Sequence, residues 1–294
     1  MTTKFKNIGI IGKPGDSSIA DPINRLIKLL DTLGCDVVLD QSTATSLKIS
    51  SVPAKDRPQI GESCDLLIIV GGDGTLLNAA RSITDYEIPM VGVNLGRLGF
   101  LVDISPQEME QTIPDIIRGQ YIEEPRTLLT TEIKSGDSTL FSAKSLNDVV
   151  IHKINVARMI EFDVYINNSF VYTQRSDGLI ISTPTGSTAY ALSGGGPILH
   201  PSLKAISLIP ICPHTLTNRP IAIGMDSVIE IRMHKGRFEG IQVSCDGQVN
   251  HQITEDETVT VQLCDKTLRL LHPTNYDYYQ ILRTRLNWAT QNYE

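Results

Sequence analysis

The chain has 294 residues, 41% hydrophobic and 20% charged, a composition with room for roughly two globular domains that excludes a collagen, a coiled coil or a disordered chain. Its 26 Lys and Arg stand against 33 Asp and Glu, a formal net charge of −7 with no basic run, which argues against nucleic acid or an anionic membrane as partner. The longest apolar stretch, residues 66–70, is too short for a bilayer, and the first residues lack a signal-peptide core, so a cytoplasmic location is expected, with the five scattered cysteines (35, 64, 212, 245 and 264) buried and reduced.

Four short β-branched runs open the chain, at 6–11, 36–39, 65–70 and 89–93, and they predict parallel strands buried on both faces with crossover helices between them. A helix is expected over 22–33, capped by Asp21, with Pro22 in its first turn, a stripe of Ile23, Leu26, Ile27, Leu30 and Leu33, and Gly34 as its stop. Residues 40–60 read as a long loop. A second helix is expected over 106–118, ended by Gly119 and kinked or shortened by Pro114. Together these predict an α/β, Rossmann-like domain with a parallel sheet over residues 1–124.

From 125 to 272 the apolar period changes to two, in the runs EFDVYI, SFVYT, GLIIST, VIEIRM, GIQVSC, TVTVQL and TLRLLH. That period predicts an all-β domain, an antiparallel sandwich, with hairpin turns at Asn167-Asn168 and at Ser135-Gly136-Asp137. Helical spacing resumes over 275–290, where Tyr278, Ile281, Leu282 and Leu286 share a face. This C-terminal helix is expected to return to the N-terminal domain, so 273–294 belong with it.

The strongest chemical signal follows the 65–70 strand. Gly71-Gly72-Asp73-Gly74-Thr75 leads into a good helix former, so backbone N–H groups at a helix start face a ligand. The segment lacks the Gly-Lys-Ser/Thr ending of a Walker A loop, and Leu77 stands where a GxGxxG would need its third glycine. Asp73 is the odd member: a carboxylate about 4 Å from a phosphate costs roughly 4 kcal/mol at an effective dielectric near 20 unless a cation or proton intervenes. It therefore reads as a general base or a metal-holding group, with a plainly capped tight turn as the alternative. The six histidines show no ligand spacing and no nucleophile motif is present, which leaves metal ligands unassigned and covalent catalysis without a candidate.

Further along, Asn147-Asp148 at a strand entry offers an amide and a carboxyl to a ribose or an adenine amine, or is simply a turn. Residues 182–193, STPTGSTAYALS, read as a loop of small donors in which Tyr190 stacks on a base or is one more buried tyrosine. Gly194-Gly195-Gly196 suggests close backbone approach or a mobile loop. Arg158 and Arg175 flank the hairpin before that loop, and either can neutralise pyrophosphate or lie on a solvated face. Asp246-Gly247-Gln248 is first a hairpin turn.

GGDGTLL after a hydrophobic strand resembles the signature shared by NAD kinases, diacylglycerol and sphingosine kinases and, more distantly, phosphofructokinases. VGVNLGRLGFL at 91–101, NDVVI at 147–151 and DGLIISTPTGSTAYALSGGGPILHPS at 177–202 resemble the NAD kinases specifically. The resemblance implies transfer of the γ-phosphoryl group of Mg-ATP to the 2′-hydroxyl of the adenosine ribose of NAD, with Asp73 as base. It places Asp73, Gly74, Asn147, Asp148, Asp177, Thr188, Ala189, Tyr190, Ala191, Leu192, Ser193 and Gln248 along NAD, and Arg158 and Arg175, read from their position beside the loop, are expected to join them. Gly71, Gly72, Gly74 and Thr75 fall to the phosphate donor. It implies a homodimer or homotetramer, a divalent metal carried as Mg-ATP, and, from Arg175, preference for NAD over NADH. The rivals are a lipid kinase using the same turn and a regulator that binds NAD without phosphorylating it.

Overall fold

A computed structural model describes residues 4–96, 99–154, 158–215, 217–234 and 240–288. The chain divides into two compact units, Met1–Pro125 with Leu268–Glu294, and Arg126–Thr267.

In the first unit the strands β1 (Asn7–Gly12), β2 (Asp36–Asp40), β3 (Ala54–Lys55), β4 (Leu66–Gly71) and β5 (Met90–Asn94) pair in parallel in the order β3-β2-β1-β4-β5. The apolar runs of β4 and β5 are buried along their whole length, as a sheet covered on both faces requires. Helices α1 (Ala20–Thr32), α2 (Gln41–Leu47), α3 (Arg57–Ser63) and α4 (Asp73–Ile83) make the crossovers, and α5 (Met109–Ile117) follows the last of these strands. Leu26, Ile23 and Leu30 of α1 and Ile113 and Ile116 of α5 join Ile8, Ile10, Ile68 and Val91 in one core.

Three expectations need correction here. Helix α1 starts earlier than expected because a 3-10 turn over Ser17–Ile19, whose first N–H groups are met by Asp16 rather than Asp21, runs straight into it. The 40–60 segment is no loop. Asp40 accepts from the Thr43 N–H to start α2, and Asp56 forms a reciprocal capping box with Gln59 to start α3. Helix α5 begins only at Met109, because Ser105 and Glu108 form their own capped turn before it, and it keeps Pro114 inside.

The second unit is an antiparallel sandwich. One sheet contains β9 (Ile160–Ile166), β10 (Ser169–Ser176), β14 (Ile229–Met233) and β17 (Glu257–His272) in the order β10-β9-β14-β17, with β6 (Ile122–Ser135) and β7 (Ser138–Ser145) attached. The other holds β8 (Asp148–Lys153), β11 (Gly178–Ser182), β12 (Ala205–Ile211), β13 (Ile221–Gly224), β15 (Ile241–Cys245) and β16 (Val249–Ile253) in the order β13-β12-β11-β8-β15-β16. Phe162, Val164, Ile231 and Val259 from the first sheet pack against Val149, Ile151, Ile181 and Val243 from the second. Asn167 and Asn168 both take positive φ in the two-residue turn between β9 and β10, which asparagine tolerates. The runs 258–263 and 267–272 are one sixteen-residue strand, β17, whose far end pairs in parallel with β5 through Leu270 and Met90. Helix α7 (Tyr278–Arg285) belongs to the first unit and buries Tyr278 and Leu282. Of the cysteines, 35, 245 and 264 are buried, Cys64 is half-buried, and Cys212 is exposed, contrary to expectation, on a positive-φ turn.

Candidate functional site

In the first unit the strand order reverses between β1 and β4, and in doubly wound sheets ligands bind beyond the carboxyl ends of the strands at such a point. The glycine turn leaves β4 there. Gly71 is fully buried at the strand end, and any side chain on it would collide with the Thr75 hydroxyl. Gly72 caps α4 without a side-chain hydrogen bond, Asp73 opens the helix, Gly74 is exposed, and Thr75 donates its N–H to the Gly72 carbonyl at 2.9 Å.

The Asp73 carboxylate is held by backbone. Oδ2 accepts from the Phe100 N–H at 2.9 Å, and Oδ1 from Leu101 and Val102 at 3.1 and 3.2 Å. The carboxylate lies against Gly99 so closely that no β-carbon fits there. Asn94, buried at the end of β5, braces the same segment by donating to the Val102 carbonyl and accepting from the Gly96 N–H. The NLGRLGFL motif thus forms the seat of Asp73, except for Arg97 and Leu98, which lie outside the described residues. Across the switch point, Lys13 follows β1, donates its N–H to the Val70 carbonyl at 3.1 Å, and pairs its ammonium with Asp16 at 3.1 Å. Its Cβ lies 3.3 Å from where a β-carbon on Gly71 would sit.

In the second unit a cavity of about 510 Å³ lies on the outer face of the six-stranded sheet. Successive residues of a strand point to opposite faces, so Asp148, Val150 and His152 of β8 line it while Val149 and Ile151 enter the sandwich core. Ser244 of β15, Ile211 of β12, Ala189 and Tyr190, and Asn147, Asp246 and Gly247 at one corner complete its walls, with Lys153 and Asp177 paired at 2.6 Å. Tyr190 is 47% exposed. Asp148 is buried, and its carboxyl is pushed up to about 7, first by burial and second by the charge of Asp246. Asp246, also buried, accepts N–H bonds from Leu146 at 3.1 Å, Asn147 at 2.8 Å and Asp148 at 3.2 Å. A side chain on Gly186 would strike the Asn147 carbonyl, so that glycine lets the 3-10 turn Thr185–Thr188, to which it belongs, close on the same corner.

Similarity to known proteins decides the family. Family models for the ATP-NAD kinase N-terminal domain and the ATP-NAD kinase C-terminal domain match residues 8–121 and 146–272. The chain is 46% identical over 285 residues to the NAD kinase of Nitrosomonas europaea, covering 97% of this chain and 96% of that one. It is 43% identical over 294 residues to that of Pseudoalteromonas translucida, covering all of both. The chain belongs to the NAD kinase family. Its fold matches yeast NADH kinase complexed with NADH with a TM-score of 0.89 and 25% identity, over 99% of this chain and 90% of that chain. An NAD kinase from Archaeoglobus fulgidus in complex with ATP shares the fold at a TM-score of 0.74 and 24% identity, over 96% and 99% of the two chains.

Within this NAD kinase framework the expected dinucleotide residues of the second unit fall into three groups. Asn147, Asp148, Asp177, Ala189 and Tyr190 line the cavity. Residues 182–193 are not an open loop but a 3-10 turn, Thr185–Thr188, followed by the short helix α6, Tyr190–Ser193. Ala191 therefore points into a small core with Val150, Ile180 and Ile209, while Thr188 bonds the Thr185 carbonyl, Leu192 is half-buried and Ser193 exposed. Gly194 and Gly196 let the chain press against Ile209. Arg158, Arg175 and Gln248 are exposed and do not line the cavity. Sequence reasoning missed His152, Lys153, Ser244, Asp246 and Lys13. Strand parity from Asp148 was enough to place His152 on its face; nothing local signalled the reach of Asp246 to residues 146–148.

Proposed function

We propose that this NAD kinase family member transfers the γ-phosphoryl group of Mg-ATP to the 2′-hydroxyl of the adenosine ribose of NAD, producing NADP. The seat of Asp73 carries this reading: a carboxylate fixed at a helix start beside the switch point has no use in a loop that only binds phosphate. Two N–H groups reach Oδ1 but only one reaches Oδ2, which leaves Oδ2 capacity to accept the proton of a substrate hydroxyl. Phosphoryl transfer needs donor and acceptor held in line and charge neutralised, with little covalent work for the protein. Gly71, Gly72, Gly74 and Thr75 supply the donor turn, and Lys13 the nearby positive charge.

Asn147, Asp148, Asp177 and Tyr190 hold the adenosine end, and Thr188, Leu192, Ser193, Arg158, Arg175 and Gln248 serve parts of the dinucleotide beyond the cavity. Among the described residues no three His, Cys, Asp or Glu side chains converge as a metal cage. Magnesium commonly needs only one or two carboxylates beside phosphates and waters, so the donor set here suits a cation that arrives with the nucleotide, where it would neutralise phosphate charge, with Asp73 the carboxylate at hand. We place the protein in the cytoplasm as a homodimer or homotetramer, from its resemblance to the family; no described helix is long and apolar enough to cross a membrane.

A coupled assay tests the reaction. Purified protein, Mg-ATP and NAD are expected to yield NADP, read by an NADP-specific dehydrogenase, with a lower rate on NADH and none on diacylglycerol. NAD that binds but is never phosphorylated would support the regulator instead.

A further inference from the structure

The NAD reading assigns Asp148 to the adenosine end but gives Asp246 no task. Asp246 sits in the β15–β16 turn with positive φ, next to Gly247, also at positive φ. It accepts three N–H bonds from consecutive residues of another strand entry, Leu146, Asn147 and Asp148, and its own N–H donates to the Asp148 carbonyl at 2.9 Å. The corner is closed from the other side by Gly186 against the Asn147 carbonyl. Asn147 Oδ1 is buried there without a hydrogen-bond partner, so the clamp holds a polar side chain whose acceptor is left for something else.

We infer that Asp246 is a positioning residue that fixes Asn147 and Asp148 against the cavity and makes Asp148 present a neutral carboxyl group, hydrogen-bond donor and acceptor together, to the adenine edge. The inference rests on the NAD reading above. The chemistry is that of base recognition: adenine offers an amine donor beside a ring-nitrogen acceptor, and a side chain that both donates and accepts pairs with both, as an amide does. An ionised carboxylate offers only acceptors and loses half of that pair. Burial and the neighbouring Asp246 charge both favour the protonated form of Asp148. The other titratable and charged groups facing this corner are His152 and Lys153 from the same strand, Asp177 from the β10–β11 turn, and Tyr190 from α6; Lys153 is already engaged by Asp177.

The test is NAD binding, followed by titration calorimetry between about pH 5 and 9, on the wild-type protein, Asp148→Asn and Asp246→Asn. The same series is run with nicotinamide hypoxanthine dinucleotide, whose base reverses the donor and acceptor. Wild-type affinity for NAD should fall as pH rises through about 7. Asp148→Asn, which keeps a donor beside an acceptor, should bind NAD within about threefold of the wild-type acid limb and show no such fall. Asp246→Asn should weaken NAD binding by about tenfold through the lost clamp and move the fall to lower pH, because the charge that holds the proton on Asp148 is gone. The hypoxanthine analogue, whose reversed donor and acceptor a neutral carboxyl also meets by carrying its proton on the other oxygen, should bind within about threefold of NAD at low pH and show the same fall as pH rises. Thermal melts check that each variant is folded; if Asp246→Asn is not, the flat profile of Asp148→Asn carries the test. A pH profile in Asp148→Asn that matches the wild type overturns the inference, as does an unshifted profile in folded Asp246→Asn. A wild-type protein that binds NAD at no pH overturns the NAD reading itself.

Discussion

Asp73 and Asp246 share one bonding pattern, a carboxylate that accepts three backbone N–H groups from a segment far away in sequence. Their surroundings reverse its meaning. Asp73 is half-buried at the start of α4, and the segment that feeds it hydrogen bonds, 100–102, holds the carboxylate in place. Asp246 is buried, and its carboxylate holds the backbone of 146–148 in place instead. In the first unit backbone positions the carboxylate proposed as the base; in the second a side chain positions backbone, and Asp246 borders the same cavity as the two residues it clamps, Asn147 and Asp148. Equal bond counts therefore say nothing about which aspartate does chemistry. Access to substrate does.

The comparison breaks most sharply at Asp73. Asp73→Asn should lower kcat by about 10²–10⁴, the range for loss of a general base, and steady-state kinetics of the purified variant would check it; wild-type turnover would remove Asp73 from that role. Gly99→Ala comes next. The added β-carbon has no room beside Asp73, so the carboxylate must shift, and a displacement of about 1 Å is expected to cost up to roughly 10² in kcat while NAD affinity holds. A matching drop in NAD affinity would show that the seat serves binding.

Asp148→Asn sharpens the second half through stability. The folded-state value of Asp148, about 7, lies above that of an unfolded carboxylate, so the native state binds the extra proton and loses stability as pH rises from about 4 through 7, on the order of 4 kcal/mol at most. Removing the ionisable group should flatten that slope and raise stability by about 1–3 kcal/mol at pH 8, read from denaturant melts at several pH values. Parallel slopes in variant and wild type would refute the raised value. The smallest expected effect is at Lys13: Lys13→Ala should raise KM for ATP by about threefold to tenfold, with KM for NAD unchanged, because a partly exposed ammonium contributes modestly. Equal changes in both constants would place Lys13 outside the donor side.

Much of this was legible in residue patterns, for physical reasons. The strands of the first unit declare themselves because a sheet buried on both faces demands continuous apolar runs, as in 66–70, and sandwich strands such as β9 and β14 because one less buried face demands alternation. The glycine turn was legible because Asp73 is chemically out of place among glycines. The capping box Asp56-Arg57-Pro58-Gln59 was written in the sequence but overlooked, since α3 has too few apolar residues to show a period. By contrast, the partners of Asp73 and Asp246 are tertiary: 27 to 29 residues separate Asp73 from its donors, and 98 to 100 separate Asp246 from its own. No local pattern encodes a bond across that distance. Ala191 likewise reads as part of a ligand loop until α6 turns its methyl group into the core.

The most direct measurement sets the two aspartates side by side: single-turnover phosphorylation of NAD and equilibrium NAD binding for Asp73→Asn and Asp246→Asn under identical conditions. Asp73→Asn should bind NAD within about threefold of the wild type and phosphorylate it at least about a hundredfold more slowly. Asp246→Asn should show the reverse, weakened binding with a turnover rate at saturating NAD near that of the wild type. If Asp73→Asn keeps its turnover rate, or if its defect is entirely in NAD binding, the chemical role given to Asp73 is contradicted.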